Sequence, residues 1–312
     1  MIKNIKGTKD LLPETTYNIQ DIENHLYRFM HIHGYGEIRT PIFESTELFT
    51  RSVGENTDIV NKEMYTWEDQ NGQSLTLRPE MTASVVRAYI QKQLWKIEPI
   101  SKFYYIGPSF RRERPQKGRL RQFHQFGVEA IGSYNPEQDA EVIGIAYNIY
   151  QMFGVKELSI KVNTLGSNNI RNEYANELKK SLLKFKSIFN ESEYNRLEKN
   201  PLRILDSKNK EIQGLIKKYA PNIFDYISID DKQHFKKVLQ ILDAMKIPYT
   251  HDTNLVRGLD YYNRTVFEVI SNKLGAQDAL CGGGRYDNLV GELGGADIPA
   301  MGFAAGMERL LL

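Results

Sequence analysis

The stretch FRRERPQKGRLRQFHQFGVE, residues 110–129, decides the fold. Its first half carries Arg111, Arg112, Arg114, Lys117, Arg119 and Arg121 against one acid, Glu113, although the whole chain of 312 residues nets only +2. The basic run then gives way to alternation. Successive side chains of a strand point to opposite faces, so Phe123, Gln125, Gly127, Glu129 and Ile131 line one face. His124, Phe126, Val128 and Ala130 line the other, apolar one. The preceding SKFYYIGPSF is equally rich in aromatics, and the pair reads as two antiparallel strands joined by the basic loop. Glycine inside a strand marks a close approach to the backbone, and arginine presents a planar fork suited to phosphate. The plainer alternatives are a half-solvated sheet face and a solvated charge run. The second accounts for Lys117 but not for arginines at strand ends such as Arg111 and Arg121.

Working outward, Asn18 to Gly34 has the spacing of an amphipathic helix with Ile22, Leu26, Phe29 and Met30 on one face. EMYTWED and QSLTLRP flank the turn signal Gln70-Asn71-Gly72, and MTASVVRAYIQKQL is helical. Asn135-Pro136 opens a helix that runs to about Phe153, and Leu158 to Thr164 is a strand. From Asn168 to about Lys246 the chain is helical and rich in Lys and Asn. Strand character returns in LVRGLDYYNRTVFEVI, followed by a glycine-rich turn, CGGGRYDNLVGELGG, and a last segment, GFAAGMERLLL. Strands fall in adjacent pairs rather than alternating with helices. The fold class is therefore α+β, a mainly antiparallel sheet flanked by helices. Residues 1–166 and 248–312 form the core, and 167–247 a helical insertion.

Hydrophobic content of 41% and charged content of 26% belong to an ordinary globular chain. No apolar run reaches the ~20 residues of a membrane span, and MIKNIKGTKDLLPE lacks a signal-peptide core. A single cysteine, Cys281, suits a reducing, cytoplasmic setting. There is no GxxxxGK[ST] loop for phosphate, and Gly282-Gly283-Gly284 does not match GxGxxG.

Three further clusters accompany the basic hairpin. LVRGLDYYNRTVFEV sets Arg257 beside Tyr261 and Tyr262, which alternation places on opposite faces unless the glycine makes a bulge; tyrosines packing a sheet edge are the competing reading. LTLRPEMTASVVRAYI places Arg78, Glu80 and Thr82 where a strand turns into a helix. Glu80 there could receive an ammonium group, or simply cap the helix. GFAAGMERLLL offers small residues for a flat ligand, with Arg309 above it. Together they describe a site for a nucleotide and a small cationic or amphoteric ligand.

These segments carry a resemblance. FRRERPQKGRLRQFHQFGVE resembles motif 2 of class II aminoacyl-tRNA synthetases in the form used by histidyl-tRNA synthetases. YGEIRTPIFESTELF, centred on Pro41, resembles motif 1, and GFAAGMERL motif 3. LVRGLDYYNRTVFEV and CGGGRYD resemble the two segments peculiar to the histidine enzymes, and GTKDLLP their N-terminus. The resemblance covers essentially the whole chain. It implies ATP, with Mg²⁺, as substrate rather than a tightly bound cofactor, and no protein metal site. Arg111 would meet the α-phosphate, Glu113 the adenine amino group and Arg119 the terminal phosphates, with Phe123 and Arg309 on the two adenine faces. Arg257 would be the additional catalytic arginine beside Arg111, near the histidine carboxylate. Glu80, Thr82 and Gln125 would hold the α-amino and carboxylate ends of histidine. Glu129 and Tyr262 would read the imidazole, with Tyr261 and Tyr286 lining the pocket.

The resemblance also implies transfer of histidine to the acceptor end of its tRNA, touched by the loop from Arg114 to Lys117, and a homodimer through motif 1. The family continues past the equivalent of Leu312 into an anticodon-binding domain of on the order of 100 residues. An engineered catalytic fragment without that domain is therefore expected. The rival from another class is the non-catalytic regulatory subunit of ATP phosphoribosyltransferase. Arg111, Glu113, Arg257 and Arg309, with an unbroken RGLDYY, weigh against it, because a histidine sensor needs no adenylating arginines.

Overall fold

The computed structural model describes residues 1–55, 57–115, 119–271 and 279–311; Lys117 and Leu312 lie outside them. Helix α1 (Pro13–Ile32) starts earlier than its apolar spacing implies. Leu12 caps it in an extended conformation and Pro13 sits in the first turn, where a missing N–H costs nothing. Strands β1 (Gly36–Glu37) and β2 (Phe43–Ser45) lead to α2 (Thr46–Val53) and a π-helical turn over Ile59–Glu63. The hairpin β3 (Tyr65–Glu68) and β4 (Ser74–Leu77) turns at Gly72, whose φ is +77°. Asp69 Oδ1 accepts from the backbone N–H groups of Asn71 and Gln73, both at 2.8 Å. Then come α3 (Thr82–Gln91), β5 (Ser101–Phe110), β6 (Gln122–Ile131), α4 (Pro136–Met152) and β7 (Leu158–Thr164).

Between β7 and β8 (Tyr249–His251) the regular elements are all helical: α5 (Asn168–Leu183), α6 (Glu191–Lys199), α7 (Lys210–Tyr219) and α8 (Ile229–Ala244), with short 3₁₀ turns. The chain closes through β9 (Asn263–Ser271), β10 (Ala279–Arg285), the single turn α9 (Leu289–Glu292) and β11 (Ala300–Gly306).

The main sheet has the order β1-β5-β6-β11-β10-β9-β7-β8, and β2-β4-β3 form a small second sheet. β1 runs parallel to β5 and β8 parallel to β7, while the five pairings between β5 and β7 are antiparallel. The mainly antiparallel α+β fold read from the sequence is the observed one.

One face of the sheet is dry. Phe126, Val128 and Ala130 of β6 pack with Phe267, Val269, Met301 and Phe303 against α4, α8 and α1, whose Ile22, Leu26 and Met30 are buried. A second core lies on the opposite face. It joins Leu178, Leu197, Ile204 and Ile216 of the helical segment to Tyr261, Tyr262 and Tyr286. α8 shares the first core rather than the second, through Phe235, Val238 and Leu242.

Two expectations are corrected. CGGGRYD is not a turn: Ala279 to Arg285 is an interior strand, paired on both sides. Conversely, residues 255–262 are loop, and β9 begins only at Asn263. Arg264 holds a left-handed φ of +44° at its start, so the period of two does not extend back to the tyrosines.

Arg285 is wholly buried and braces the elements around β10. Its Nε donates to Asp139 Oδ1 at 2.6 Å and its Nη1 to Asp287 Oδ1 at 2.8 Å, while Nη2 reaches the Ser133 carbonyl at 2.8 Å. Asp139 is also wholly buried and pairs with His234 Nε2 of α8 at 2.8 Å. Removing one partner of such a pair leaves an uncompensated buried charge. Asp139→Ala is therefore expected to lower the unfolding free energy by about 3–5 kcal/mol, seen as a lower urea midpoint at unchanged slope. A loss below about 1 kcal/mol, the surface-pair range, would show that the network does not brace the sheet.

Candidate active site

The site is built on the centre of the sheet, on the face away from α4. Register places Gly127 opposite Ala304 and Ala304 opposite Gly282; one row along, Glu129 faces Gly302 and Gly302 faces Gly284. Cross-strand partners share a face, so this area is bare of side chains apart from a methyl group and one carboxylate. Other side chains lie in the space left. The Arg257 guanidinium occupies the position that a Cβ at Gly282 would take, and the Glu129 carboxylate does the same at Gly302. A methyl group at Gly284 would sit 3.0 Å from Cδ1 of Tyr262.

At one end of this floor is a cleft of about 420 Å³. Arg111, Glu113, Arg119, Phe123, Arg257 and Arg309 all line it. The β5–β6 hairpin supplies the first four. Arg111 is anchored by Nε to the Pro79 carbonyl at 2.8 Å, and its guanidinium carbon stands 5.4 Å from the centre of the Phe123 ring. Glu113 takes Arg119 Nη1 at 3.1 Å and lies 3.9 Å from Arg111 Nη1. Arg121 is not among the residues lining the cleft: its Nε donates to the Glu113 carbonyl at 3.4 Å, and its backbone N–H donates to the Gly7 carbonyl at 2.7 Å, tying the N-terminal segment to the hairpin. His124 accepts no site role either, since its backbone N–H and ring both meet Glu308 Oε1, at 2.7 and 3.3 Å.

Beside the cleft lies a buried pocket of opposite character. Glu129 is 1% exposed and is the focus of three hydroxyl groups. Thr82 Oγ1 donates to its Oε1 at 2.7 Å, Tyr105 OH to the same oxygen at 3.2 Å, and Tyr286 OH to Oε2. Glu80, 3% exposed, accepts from the Thr82 and Ala83 backbone N–H groups at 2.7 and 2.9 Å, capping α3. Gln125 Oε1 accepts from Ser109 Oγ at 3.0 Å. Tyr261 stacks obliquely on Tyr262 with ring centres 4.6 Å apart and meets Tyr286 edge-on at 5.5 Å.

Burial is the main cause of the pocket's electrostatics. It lifts Glu129 to about 8, helped by the nearby Glu80 charge and opposed by the hydroxyl donors. Burial raises Glu80 too, with the α3 N–H groups working against it. It pushes Tyr262 up to about 12, and Tyr286 well above its ordinary range with Glu129 adding to the effect. Two carboxyl groups and a ring of phenols thus lie under the sheet's second core, and none of their hydrogen-bond partners named above is a cation. Such a pocket favours a ligand that brings positive charge and N–H donors with it.

The structure brings Arg111, Glu113, Arg119, Phe123, Arg257 and Arg309 to the cleft and Glu80, Thr82, Gln125, Glu129, Tyr261, Tyr262 and Tyr286 to the pocket, whereas Arg121 and His124 are engaged elsewhere and Lys117 lies outside the described residues. Glu80 caps a helix, the alternative that its position at a strand-to-helix turn already allowed. Glu129 bonds Tyr286, which the resemblance gave only as a pocket-lining residue. Tyr261 and Tyr262 share one pocket because they sit on a loop. Tyr105 and Ser109 were missed, yet alternation along SKFYYIGPSF places both on one strand face. Their partners emerge only from the β5–β6 register, Tyr105 with Gly127 and Ser109 with Phe123.

A family model described as histidyl-tRNA synthetase matches residues 7–310. The histidine–tRNA ligase of Halothermothrix orenii is 50% identical over 312 residues, covering 100% of this chain and 74% of that protein. That of Protochlamydia amoebophila is 47% identical over 312 residues, covering 98% and 73%. The crystal structure of apo Staphylococcus aureus histidyl-tRNA synthetase superposes with a TM-score of 0.79 at 43% identity, covering all of this chain and 73% of that one. A Bacillus halodurans structure titled as an ATP phosphoribosyltransferase regulatory subunit/histidyl-tRNA synthetase superposes at 0.72 but at 24% identity, which speaks for the fold alone.

The raised pKa of Glu129 has a consequence for stability. The folded protein keeps a proton on Glu129 up to pH about 8, whereas the unfolded chain releases it near 4.5. Stability from this group is therefore fully present below pH about 4.5 and is lost as the pH rises to about 8. Denaturation of wild type and Glu129→Gln across this window should show the wild type losing on the order of 5 kcal/mol relative to the variant. Parallel curves would contradict a protonated Glu129.

Proposed function

The chain belongs to the histidyl-tRNA synthetase family, and from that premise we propose that it activates L-histidine with ATP and passes the histidyl group to the 3′ end of its tRNA. The observation that carries the reading is the pairing of two adjoining compartments of opposite charge preference. The guanidinium cleft suits a triphosphate, and the buried Glu129 and Glu80 pocket suits an ammonium and an imidazole.

The histidine carboxylate attacks the α-phosphorus, its oxygen–phosphorus bond forming as the bond to pyrophosphate breaks. Arg111 and Arg257 face the charge that develops there, and Arg119 the departing phosphates. Chemistry of this kind rests on positioning and charge neutralisation. Adenine is held between Phe123 and Arg309, with Glu113 accepting from its amino group. Mg²⁺ travels with the triphosphate as part of the substrate. Glu80, Thr82 and Gln125 hold the α-amino and carboxylate ends, while Glu129 and Tyr262 address the two imidazole nitrogens. Displacement of Tyr286 from Glu129 by imidazole would free the carboxyl group for this contact.

The terminal ribose hydroxyl of the tRNA then takes the histidyl group from the adenylate. A second cleft, of about 570 Å³, shares Asp58 and Arg203 with the first and adds Lys62, Arg196 and Lys199. It offers a polyanion a way in between the helical insertion, residues 167–247, and the catalytic core. These substrates place the work in the cytoplasm; no helix among the described residues is long and apolar enough to cross a membrane.

A homodimer through the segment around Pro41 is supported by the exposed Ile42, Phe43 and Trp67, the last two in edge contact at 6.1 Å. Phe43→Asp is expected to shift micromolar protein toward monomer in sedimentation velocity. An unchanged profile would move the interface elsewhere.

Histidine-dependent ATP–pyrophosphate exchange tests the activity itself; pure folded protein without exchange would overturn it. The complex shares one proton between Glu129 and imidazole. Below pH about 6.5 the free imidazole carries an extra proton, and above about 8 free Glu129 has lost one. KM for histidine should therefore be lowest between these values and rise on both sides. Glu129→Gln should raise it at least tenfold, abolish the alkaline rise and leave ATP affinity within about twofold.

A further inference from the structure

Arg257 lies on a loop, yet its charged end is held against the sheet. Its guanidinium fills the space above Gly282, where any side chain on that residue would overlap it. Directly across from Gly282, on β9, stands Glu268. Its Oε1 accepts from Arg257 Nη1, and the two side chains are 23% and 21% exposed. Arg257 Nε is buried without a hydrogen-bond partner, so this ion pair supplies the directional restraint on the fork. The next residue along that row, Lys161 on β7, lies opposite Glu268 but directs its ammonium toward Asp252 Oδ2 at 3.7 Å.

The placement has a direction. Arg257 lines the arginine cleft with Arg111 and Arg309, whereas Glu268 lines an adjoining groove of about 930 Å³ that shares Arg119 and Arg309 with the cleft. The carboxylate therefore holds the guanidinium from the side of that groove. A fork carries five N–H donors, and a carboxylate on one amine leaves the other edge to face the cleft. Arginine has long, freely rotating arms, and a catalytic group displaced by about 1 Å can cost on the order of 10²-fold.

We infer that Glu268 is a positioning residue for the adenylation step, and that with Gly282 it forms a cradle presenting the Arg257 guanidinium to the α-phosphate. This rests on the reading of Arg257 as a catalytic group. Glu268 itself touches no reacting atom. Its contribution passes through Arg257, and the absence of a side chain at Gly282 is part of the same device.

The test is a double-mutant cycle on the rate of histidyl-adenylate formation, measured in single turnovers with enzyme in excess. Glu268→Ala should lower the rate about 30- to 100-fold, with KM for ATP and histidine changed less than threefold. Glu268→Gln, which keeps an acceptor of the same length, should recover about tenfold of that loss and serves also if the alanine variant folds poorly. Gly282→Ala should reproduce the Glu268→Ala loss. In an Arg257→Ala background, Glu268→Ala should have an effect below twofold.

Each contrary result is separable. A wild type that forms no adenylate overturns the proposed activity. An active wild type with an Arg257→Ala variant of equal rate removes the catalytic arginine, and the cradle with it. A Glu268→Ala loss that persists in full in the Arg257→Ala background, or that appears as raised KM at unchanged rate, overturns the positioning role while leaving the synthetase reading intact.

Discussion

The centre of the sheet is bare, and the site depends on that. β6, β10 and β11 meet through Gly127, Ala304, Gly282, Gly302 and Gly284, so that the backbone itself is the floor. Into the space above it come an arginine from a loop, a tyrosine from the same loop and a carboxylate from the neighbouring strand. Glycine weakens a strand, since it has nothing to pack and loses more freedom on ordering. Here the strands are interior to an eight-stranded sheet and backed by α4, α8 and α1. The dry face supplies the stability that the bare face gives up.

That arrangement separates two kinds of charge over a short distance. The cleft gathers guanidinium groups whose partners, Glu113 and Glu268, leave edges turned inward. The pocket gathers carboxyl groups that burial forces toward their neutral form, Glu129 to about 8. Arg257 stands at the boundary, with its charge felt by Tyr262. A small zwitterion bridging the two compartments satisfies both at once, its ammonium and ring toward the carboxyl groups and its carboxylate toward the arginines. Helix α3 joins in from the side, since Thr82 opens it and donates to Glu129, while Glu80, just before it, accepts from its first backbone N–H groups.

Much of this was legible in the chain. Alternation along β6 put Phe123, Gln125 and Glu129 on one face and the apolar residues on the other, because a strand flanked by solvent-facing chemistry and a dry core must alternate. The strand of residues 158–164 and the hairpin at Asn71-Gly72 were equally plain. The same rule failed for Tyr261 and Tyr262, which lie in the loop before β9, whose second residue, Arg264, is left-handed. It failed in the opposite sense for CGGGR. Three glycines read as a turn by local propensity, and only the cover supplied by Arg257, Tyr262 and Phe303 turns them into an interior strand.

Residue order alone was enough for the fold class and for the family, and it supplied the candidate site residues. The fold class follows from local periodicity, the family and most of the candidate roles from the resemblance of whole motifs. Only the tertiary structure decided which group touches which. The hydroxyl of Tyr105 and that of Tyr286 converge on Glu129 through strand register, and the Glu268 carboxylate meets Arg257 across a gap that exists because residue 282 has no side chain. Such pairings join residues 11 to 157 positions apart, and nothing in local propensity encodes them. They arise from the order in which strands lie side by side and from the burial that this order imposes.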